Sequence, residues 1–291
     1  MPLKHASLKR ANYEKKNVAV LMTCHNRRDK TAGSLHALFS AALPNSWSIH
    51  VVLVDDGSTD GTAEEVANKF NNVEILRGDG SLFWNRGMHW AFAHAMKRDF
   101  YFYLWLNDDT ILDSDALVKL ADTYKDLSAA HGEKIVVVGS TRDEEGRLSY
   151  GGSVAQGKLR RFQYRKVWDS SKPVECEVMN GNCALIPRLV AEIIGNLDPV
   201  FEHAMGDTDY ALRVRRAGGR IFVAPGFVGV CSNNPVTQTF MDKQISLAAR
   251  FKHITSRKGL PIKSWLCFTR RHGGILWPLY FAWPYFKTLV R

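Results

Sequence analysis

Apolar positions in the first hundred residues alternate between two periods. Residues 18–23 (VAVLMT) and 49–54 (IHVVLV) are short runs rich in β-branched residues, as buried parallel strands require. Between them Leu35, Leu38, Phe39, Ala42 and Leu43 recur at i, i+3, i+4, i+7 and i+8, the stripe of an amphipathic helix that Pro44 closes. Ala63, Val66, Ala67 and Phe70 predict a second helix, and residues 73–76 a third strand. Met88, Phe92, Ala95 and Met96 predict a third helix, and 101–106 (YFYLWL) a fourth strand. Strands joined through helices imply right-handed crossovers and a mostly parallel α/β sheet flanked by helices. Such Rossmann-like sheets bind ligands at the carboxyl ends of their strands.

From about residue 135 the pattern shifts to shorter strands and Gly-rich loops, with a hairpin or loop in GSTRDEEGRLSYGGS. Helices are predicted at 113–127, near 187–194 and from Asp207 to Ala217, the last ending at Gly218-Gly219 before a strand at 220–224. No internal repeat or linker-like stretch divides the chain. The organisation expected is a basic N-terminal segment (1–16), one α/β domain (17–230, in halves 17–110 and 111–230) and a basic, aromatic C-terminal extension (231–291).

Composition narrows the class. With 291 residues, 45% hydrophobic and 23% charged, the chain can bury a full core, which excludes disordered and collagen-like classes. No apolar run reaches the roughly 18–20 residues of a membrane span, and the N-terminus lacks the apolar stretch of a secretory signal. Five cysteines without CxxC spacing argue for a reducing compartment, hence a cytoplasmic protein, and against a cysteine zinc site. The net charge is +10, and the last sixty residues contain a single acid, Asp242. That basic excess suits nucleic acid, anionic lipid or a phosphorylated substrate.

Three constellations carry candidate chemistry. In VDDGSTDGT (54–62) a strand runs into Asp55 and Asp56 and then a Gly-rich turn. The pair either caps that turn or offers a carboxylate to a base or ribose. In LWLNDDT (105–110) a buried strand ends in Asn107, Asp108 and Asp109. Adjacent carboxylates repel unless a cation compensates, so the pattern points to Mg²⁺ or Mn²⁺ bridging to substrate phosphates, with Asp113 and Ser114 left to cap the helix at 113–127. In HAMGDTDYALRVRRAGG (203–219) Asp209 is placed for an i,i+4 pair with Arg213. Asp207 is either an N-cap or a free carboxylate able to take a proton from a hydroxyl. GxGxxG, GxxxxGK[ST] and HExxH are all absent, which leaves dinucleotide folds, P-loops and zinc hydrolysis unsupported.

The order TCHNR (23–27), VDDGSTDGT, NDDT and GDTDYALR…AGG resembles glycosyltransferase family 2, the inverting enzymes of GT-A fold, over about residues 17–230. The resemblance extends to family members that build bacterial surface polysaccharides, such as rhamnosyltransferases. It implies a nucleotide-sugar donor (UDP- or dTDP-linked), a divalent metal (Mn²⁺ or Mg²⁺), and a glycan or lipid-linked acceptor, with no nucleic acid partner. Residue by residue, it implies base contact for Asp56, metal and diphosphate contact for Asp108 and Asp109 with Asp109 the direct ligand, and catalysis by Asp207. Thr23, Cys24, Asn26 and Arg27 would line the nucleotide pocket. The sequence departs from the family pattern at Asn107 and at Gly206, where a Glu usually precedes the catalytic Asp. Arg77 or Arg86 could pair with the diphosphate. Trp84 stacks on a sugar or packs in the core, and His203 is expected to be a satisfied surface histidine rather than a ligand. The acceptor pocket is expected in the loops around 140–180.

Residues 262–291 mix Trp, Tyr and Phe with Lys and Arg but are interrupted by Gly273-Gly274, Pro278 and Pro284. Two readings stand: an interfacial segment on an anionic membrane surface, or a helix docked on the body or on a second subunit of an oligomer. Two other functions compete with the transferase. A sugar-phosphate nucleotidyltransferase would need a Gly-rich basic loop after the first strand, where this chain has TCHNRRDK. A nucleic-acid-binding protein would place its acidic strand ends against phosphate.

Overall fold

The computed structural model describes residues 15–157, 160–232 and 245–290, so most of the expected N-terminal segment lies outside the described residues. Strands β1 (Lys16–Cys24), β2 (Trp47–Asp55), β3 (Val73–Arg77) and β4 (Phe102–Leu106) alternate with α1 (Arg28–Ser40), α2 (Thr62–Lys69) and α3 (Phe83–Ala95). Then come β5 (Ile111–Leu112), α4 (Ala116–His131), β6 (Ile135–Arg142) and short strands β7 (Leu148–Tyr150), β8 (Gly152–Ala155), β9 (Tyr164–Val167), β10 (Val174–Cys176) and β11 (Val178–Met179). The main body closes with β12 (Cys183–Pro187), α5 (Arg188–Ile194), α6 (Gly206–Arg216) and β13 (Arg220–Val230). Among the described residues, the α-helices α7 (Leu247–Thr255), α8 (Ile262–His272) and α9 (Trp277–Val290) follow.

The large sheet runs β10-β13-β6-β12-β4-β1-β2-β3. β1 pairs in parallel with β2 and β4, β2 with β3, and β13 with β6, whereas β12 runs antiparallel between β4 and β6. The long apolar runs have a simple cause: both faces of the sheet are covered. Ala19 and Leu21, Tyr103 and Trp105, Val136 and Val138 face one apolar cluster with Met88 and Phe92 of α3 and Tyr210 of α6. Their alternates Val18, Val20, Met22, Phe102, Leu104, Ile135 and Val137 face the other, with Leu35 and Leu38 of α1 and Leu117 and Leu120 of α4. Side chains that alternate along a strand must each find a buried partner, so neither face can be polar.

Two expectations are corrected in detail. α4 begins at Ala116 rather than at 113, and Asp113 does not cap it; its carboxylate accepts two hydrogen bonds from Arg142, at 2.7 and 2.9 Å. The strand expected at 220–224 extends to Val230, because a register shift between Val223 and Phe227 lets it resume pairing with β6 past Pro225 and Gly226.

The C-terminal segment docks on the body through α8, in agreement with the second reading. Asp209, fully buried in α6, accepts from Arg213 one turn on (2.8 Å), from Arg271 of α8 (2.7 Å) and shares a hydrogen bond with His272 (2.8 Å). Arg271 also donates to Asp198 (2.6 Å). These partners hold the Asp209 carboxyl below its usual range although burial opposes ionisation. Around them Phe201, Trp265 and Phe268 form a third apolar cluster. Among the described residues no helix is long and apolar enough to cross a membrane.

The start of α6 is fixed from α3. Asn85 is fully buried and donates through Nδ2 to the carbonyls of Asp198 (2.8 Å) and Phe201 (2.7 Å), tying down the loop before α6. A Cβ at position 206 would stand 1.6 Å from its Oδ1. Glycine is therefore required at this position by Asn85, which accounts for the missing glutamate before Asp207.

Two outcomes follow for stability. Asp209→Ala strands two half-buried arginines and leaves His272 without its partner, and should cost about 3–5 kcal/mol, read as a lower urea midpoint at unchanged slope. Gly206→Ala forces Asn85 aside and should cost about 1–3 kcal/mol, read as a lower Tm. An unchanged midpoint in either variant contradicts the corresponding role.

Candidate active site

The parallel strands β1, β2 and β4 end at one edge of the sheet, and antiparallel β12 begins there, Cys183 lying opposite Leu106. The segments after those ends therefore converge: 23–27, 55–58, 107–109 and 180–182. They border a cleft of about 580 Å³ that the start of α6 closes from the other side. Thr23, Cys24, Arg27, Asp56, Asp108, Asp109 and Asp207 line it together.

Arg27 stands between the paired carboxylates. Its Nη1 donates to Asp108 Oδ1 at 3.0 Å and to Asp109 Oδ2 at 2.8 Å. Burial pushes the Asp108 carboxyl up to about 6, with Arg27 opposing the shift and Asp109 adding to it. The other oxygen of Asp109 accepts from the Cys231 thiol (3.5 Å), which in turn accepts from Asn182 (3.3 Å). One cationic atom already sits within hydrogen-bond reach of both carboxylates, so the pair fits a single cation. Among the described residues no three His, Cys, Asp or Glu side chains converge as a metal cage. Two adjacent carboxylates are a donor set for a hard divalent ion whose remaining ligands are substrate oxygens and water.

Asp207 opens α6 facing the cleft, whereas Asp209 faces α8. The Asp207 carboxylate accepts from the backbone N–H of Gly181 (3.1 Å) and of Thr208 (2.7 Å), and burial raises its pKa above the ordinary carboxylate range in spite of those bonds. Its N-cap role is minor, because Thr208 is the next residue rather than one turn into the helix. Gly181 allows this approach; a Cβ there would stand 2.3 Å from the Trp84 ring. Trp84 lines the cleft, packs edge-on to Trp105 and donates from Nε1 to Asn107 (2.7 Å), so it joins core and site.

Asp56 reaches the cleft but is committed to a loop. Its carboxylate accepts from the backbone N–H groups of Gly80 (2.9 Å), Leu82 (2.9 Å) and Phe83 (3.0 Å). Asn26 bridges two loops instead of lining the cleft, accepting from the Thr59 N–H (2.7 Å) and donating its own N–H to Ser58 (2.9 Å). The structure does not bring Arg77 or Arg86 into the cleft. Arg77 pairs with Glu64 (3.0 Å) on the surface, and Arg86 holds the Pro199 carbonyl (3.0 Å) and Glu202 (3.4 Å). The expectation for His203 is also corrected: it faces the cleft with Nδ1 buried and unpartnered, and burial, with Lys258 and Arg27 adding to it, holds its pKa down.

Several lining residues were not anticipated: Asn180, Gly181 and Asn182, Lys258 and Cys231. The Asn-Gly pair between two short strands is a readable turn signal. Lys258 and Cys231 come from distant elements and leave no local trace. Three non-glycine residues with left-handed backbone flank the cleft, namely Asn26 (φ 50°), Phe83 (φ 59°) and Met205 (φ 75°). Each such residue costs roughly 1–2 kcal/mol and persists only where surrounding contacts enforce it, a pattern concentrated at functional sites.

Comparison with known proteins bears on the family and the fold. The sequence model of glycosyl transferase family 2 matches residues 19–188. No curated protein matches the sequence significantly. Among solved structures, the mannosyltransferase PcManGT from Pyrobaculum calidifontis, in complex with GDP-Man and Mn²⁺, aligns with TM-score 0.54 at 15% identity, over 94% of this chain and 72% of that one. GalNAc-T7 with UDP, GalNAc and Mn²⁺ aligns with TM-score 0.56 at 14% identity, over 93% of this chain but only 54% of its own. These likenesses establish the GT-A fold. The family match, covering more than half of the chain, establishes the rest: the protein is a glycosyltransferase and belongs to glycosyl transferase family 2.

Proposed function

We propose that the chain transfers a sugar, with inversion, from a nucleoside diphosphate donor to a hydroxyl of a glycan or lipid-linked acceptor in surface-polysaccharide synthesis. One observation carries this reading: a half-buried carboxylate of raised pKa (Asp207) and a cation-bridged carboxylate pair (Asp108, Asp109) line one cleft. The similar folds bound to GDP-Man or UDP together with Mn²⁺ support it.

Asp108 and Asp109 would hold Mn²⁺ or Mg²⁺, which when bound offsets the charge that develops on the departing diphosphate. Arg27 and Lys258 add fixed positive charge at the same edge of the cleft. Thr23, Cys24, His25 and Arg27 with the loop held by Asp56 form the wall for base and ribose. Asp207 works on the acceptor. Its oxygens accept the Gly181 and Thr208 N–H groups but retain lone pairs, so it can take the proton of an incoming hydroxyl. The acceptor oxygen then bonds to the anomeric carbon while the electrons of the anomeric carbon–phosphate oxygen bond leave with the nucleoside diphosphate. Attack from the face opposite the leaving group inverts the configuration.

The exposed apolar and aromatic residues of α9 (Leu279, Trp283, Phe286, Leu289) support a membrane-bound acceptor, with the protein at the anionic cytoplasmic face.

The test is release of nucleoside diphosphate from UDP-, dTDP- and GDP-sugars in the presence of acceptor. Asp207→Asn should slow turnover by about 10²–10⁴-fold with the Tm preserved. A base acts only when deprotonated, so kcat/KM should rise with pH through the Asp207 pKa. That limb should lie above the ordinary value of 3.8 and vanish in the variant. Turnover unaffected by Asp207→Asn would refute the role of this carboxylate.

A further inference from the structure

A second cavity, of about 1060 Å³, opens beside the donor cleft. α8, α9 and the segment 160–164 wall it, and Met205 and Thr208 line both spaces. The partition between them is thus the start of α6, which carries Asp207. A molecule lying in the second cavity has one end next to the proposed base.

The wall is apolar and aromatic: Phe162, Trp265, Phe268, Leu279, Trp283 and Phe286. α9 leaves its share open to solvent, with Leu279 67%, Trp283 57% and Phe286 55% exposed, three residues spaced along one helical face. Water is a poor neighbour for such a face, and an apolar chain laid along it would remove that contact. Positive charge lies at the same cavity. Arg160, Arg161 and Lys287 line it, and among the described residues none of the three has an acidic partner within ion-pair distance. An apolar trough bordered by unpaired cations is complementary to an amphiphile with a long hydrocarbon tail and a phosphate head. The shared wall at Met205 and Thr208 adds the final requirement, that the head carry the hydroxyl that Asp207 deprotonates.

We propose that this trough binds the lipid of the acceptor, a long hydrocarbon tail on a diphosphate that carries the acceptor sugar. The tail runs along α9 and the diphosphate meets Arg160, Arg161 and Lys287. The sugar points past Thr208 toward Asp207. The assignment deepens the proposed function and rests on it for the word acceptor, while the trough itself can be tested without turnover.

The probe is farnesyl diphosphate, titrated calorimetrically into the full chain in EDTA, beside farnesol and inorganic diphosphate. Farnesyl diphosphate should bind at least about ten-fold more tightly than either half alone. Leu279→Ser with Phe286→Ser, at solvent-exposed positions that leave the fold intact, should weaken it about ten-fold or more. Arg160→Gln with Arg161→Gln should bring its affinity down to that of farnesol. Both double variants should retain the metal-dependent nucleoside diphosphate binding of the wild type. The trough assignment is overturned if farnesyl diphosphate binds no better than its halves, or binds both variants as well as wild type. If it behaves as expected but no nucleoside diphosphate binds wild type with Mn²⁺, the trough stands and the donor reading fails.

Discussion

Two adjacent carboxylates at the end of a central strand must be met by positive charge, and the architecture of the site follows from that requirement. β4 lies between β1 and β12 in the middle of the sheet, so Asp108 emerges buried and Asp109 half-buried, where solvent screening is reduced. Ionised neighbours there repel strongly. Arg27, delivered by the turn after β1, lies within 3.0 Å of both. The left-handed conformation of Asn26 and its bonds to Ser58 and Thr59 hold that turn. Asp56 in turn fixes the 80–83 loop that leads into α3. Much of the polar bonding around the cleft thus serves to place a few charges.

The same economy appears in α6. Asp207 and Asp209, two residues apart, point in different directions, as helical geometry demands. One is raised in pKa by burial and faces the cleft. The other is held ionised by Arg213, Arg271 and His272 and fastens α8 to the body. The C-terminal helices are therefore bonded to the helix that carries the proposed base. This connection lets a cavity walled by α9 share residues with the donor cleft.

Most of the first half of the fold was legible in the sequence, because buried parallel strands and amphipathic helices leave strong periodic signals. The strand-end acids were legible for the same reason: an apolar run that stops abruptly in Asp has few structural explanations. Other features were beyond local reading. Asp113 reads as a cap, but Arg142, 29 residues away, claims it. Arg77 and Arg86 read as phosphate ligands from their Gly-rich context, yet each finds a surface or loop partner that only the fold supplies. Gly206 reads as a departure from the family, and its cause is Asn85 in another helix. His203 and Lys258 reach the cleft from loops whose sequence carries no periodic signal. Tertiary encounters of this kind decide which polar residues become functional.

The claim most open to direct measurement is that Asp108 and Asp109 bind a nucleoside diphosphate through a divalent cation. Calorimetric titration of UDP, dTDP, GDP and CDP, with Mn²⁺ or with EDTA, into wild type and Asp109→Ala measures it without knowledge of the acceptor. The account predicts that at least one of the four binds wild type only with Mn²⁺, and that Asp109→Ala abolishes this binding. Equal binding in EDTA, or undiminished binding by Asp109→Ala, would contradict it.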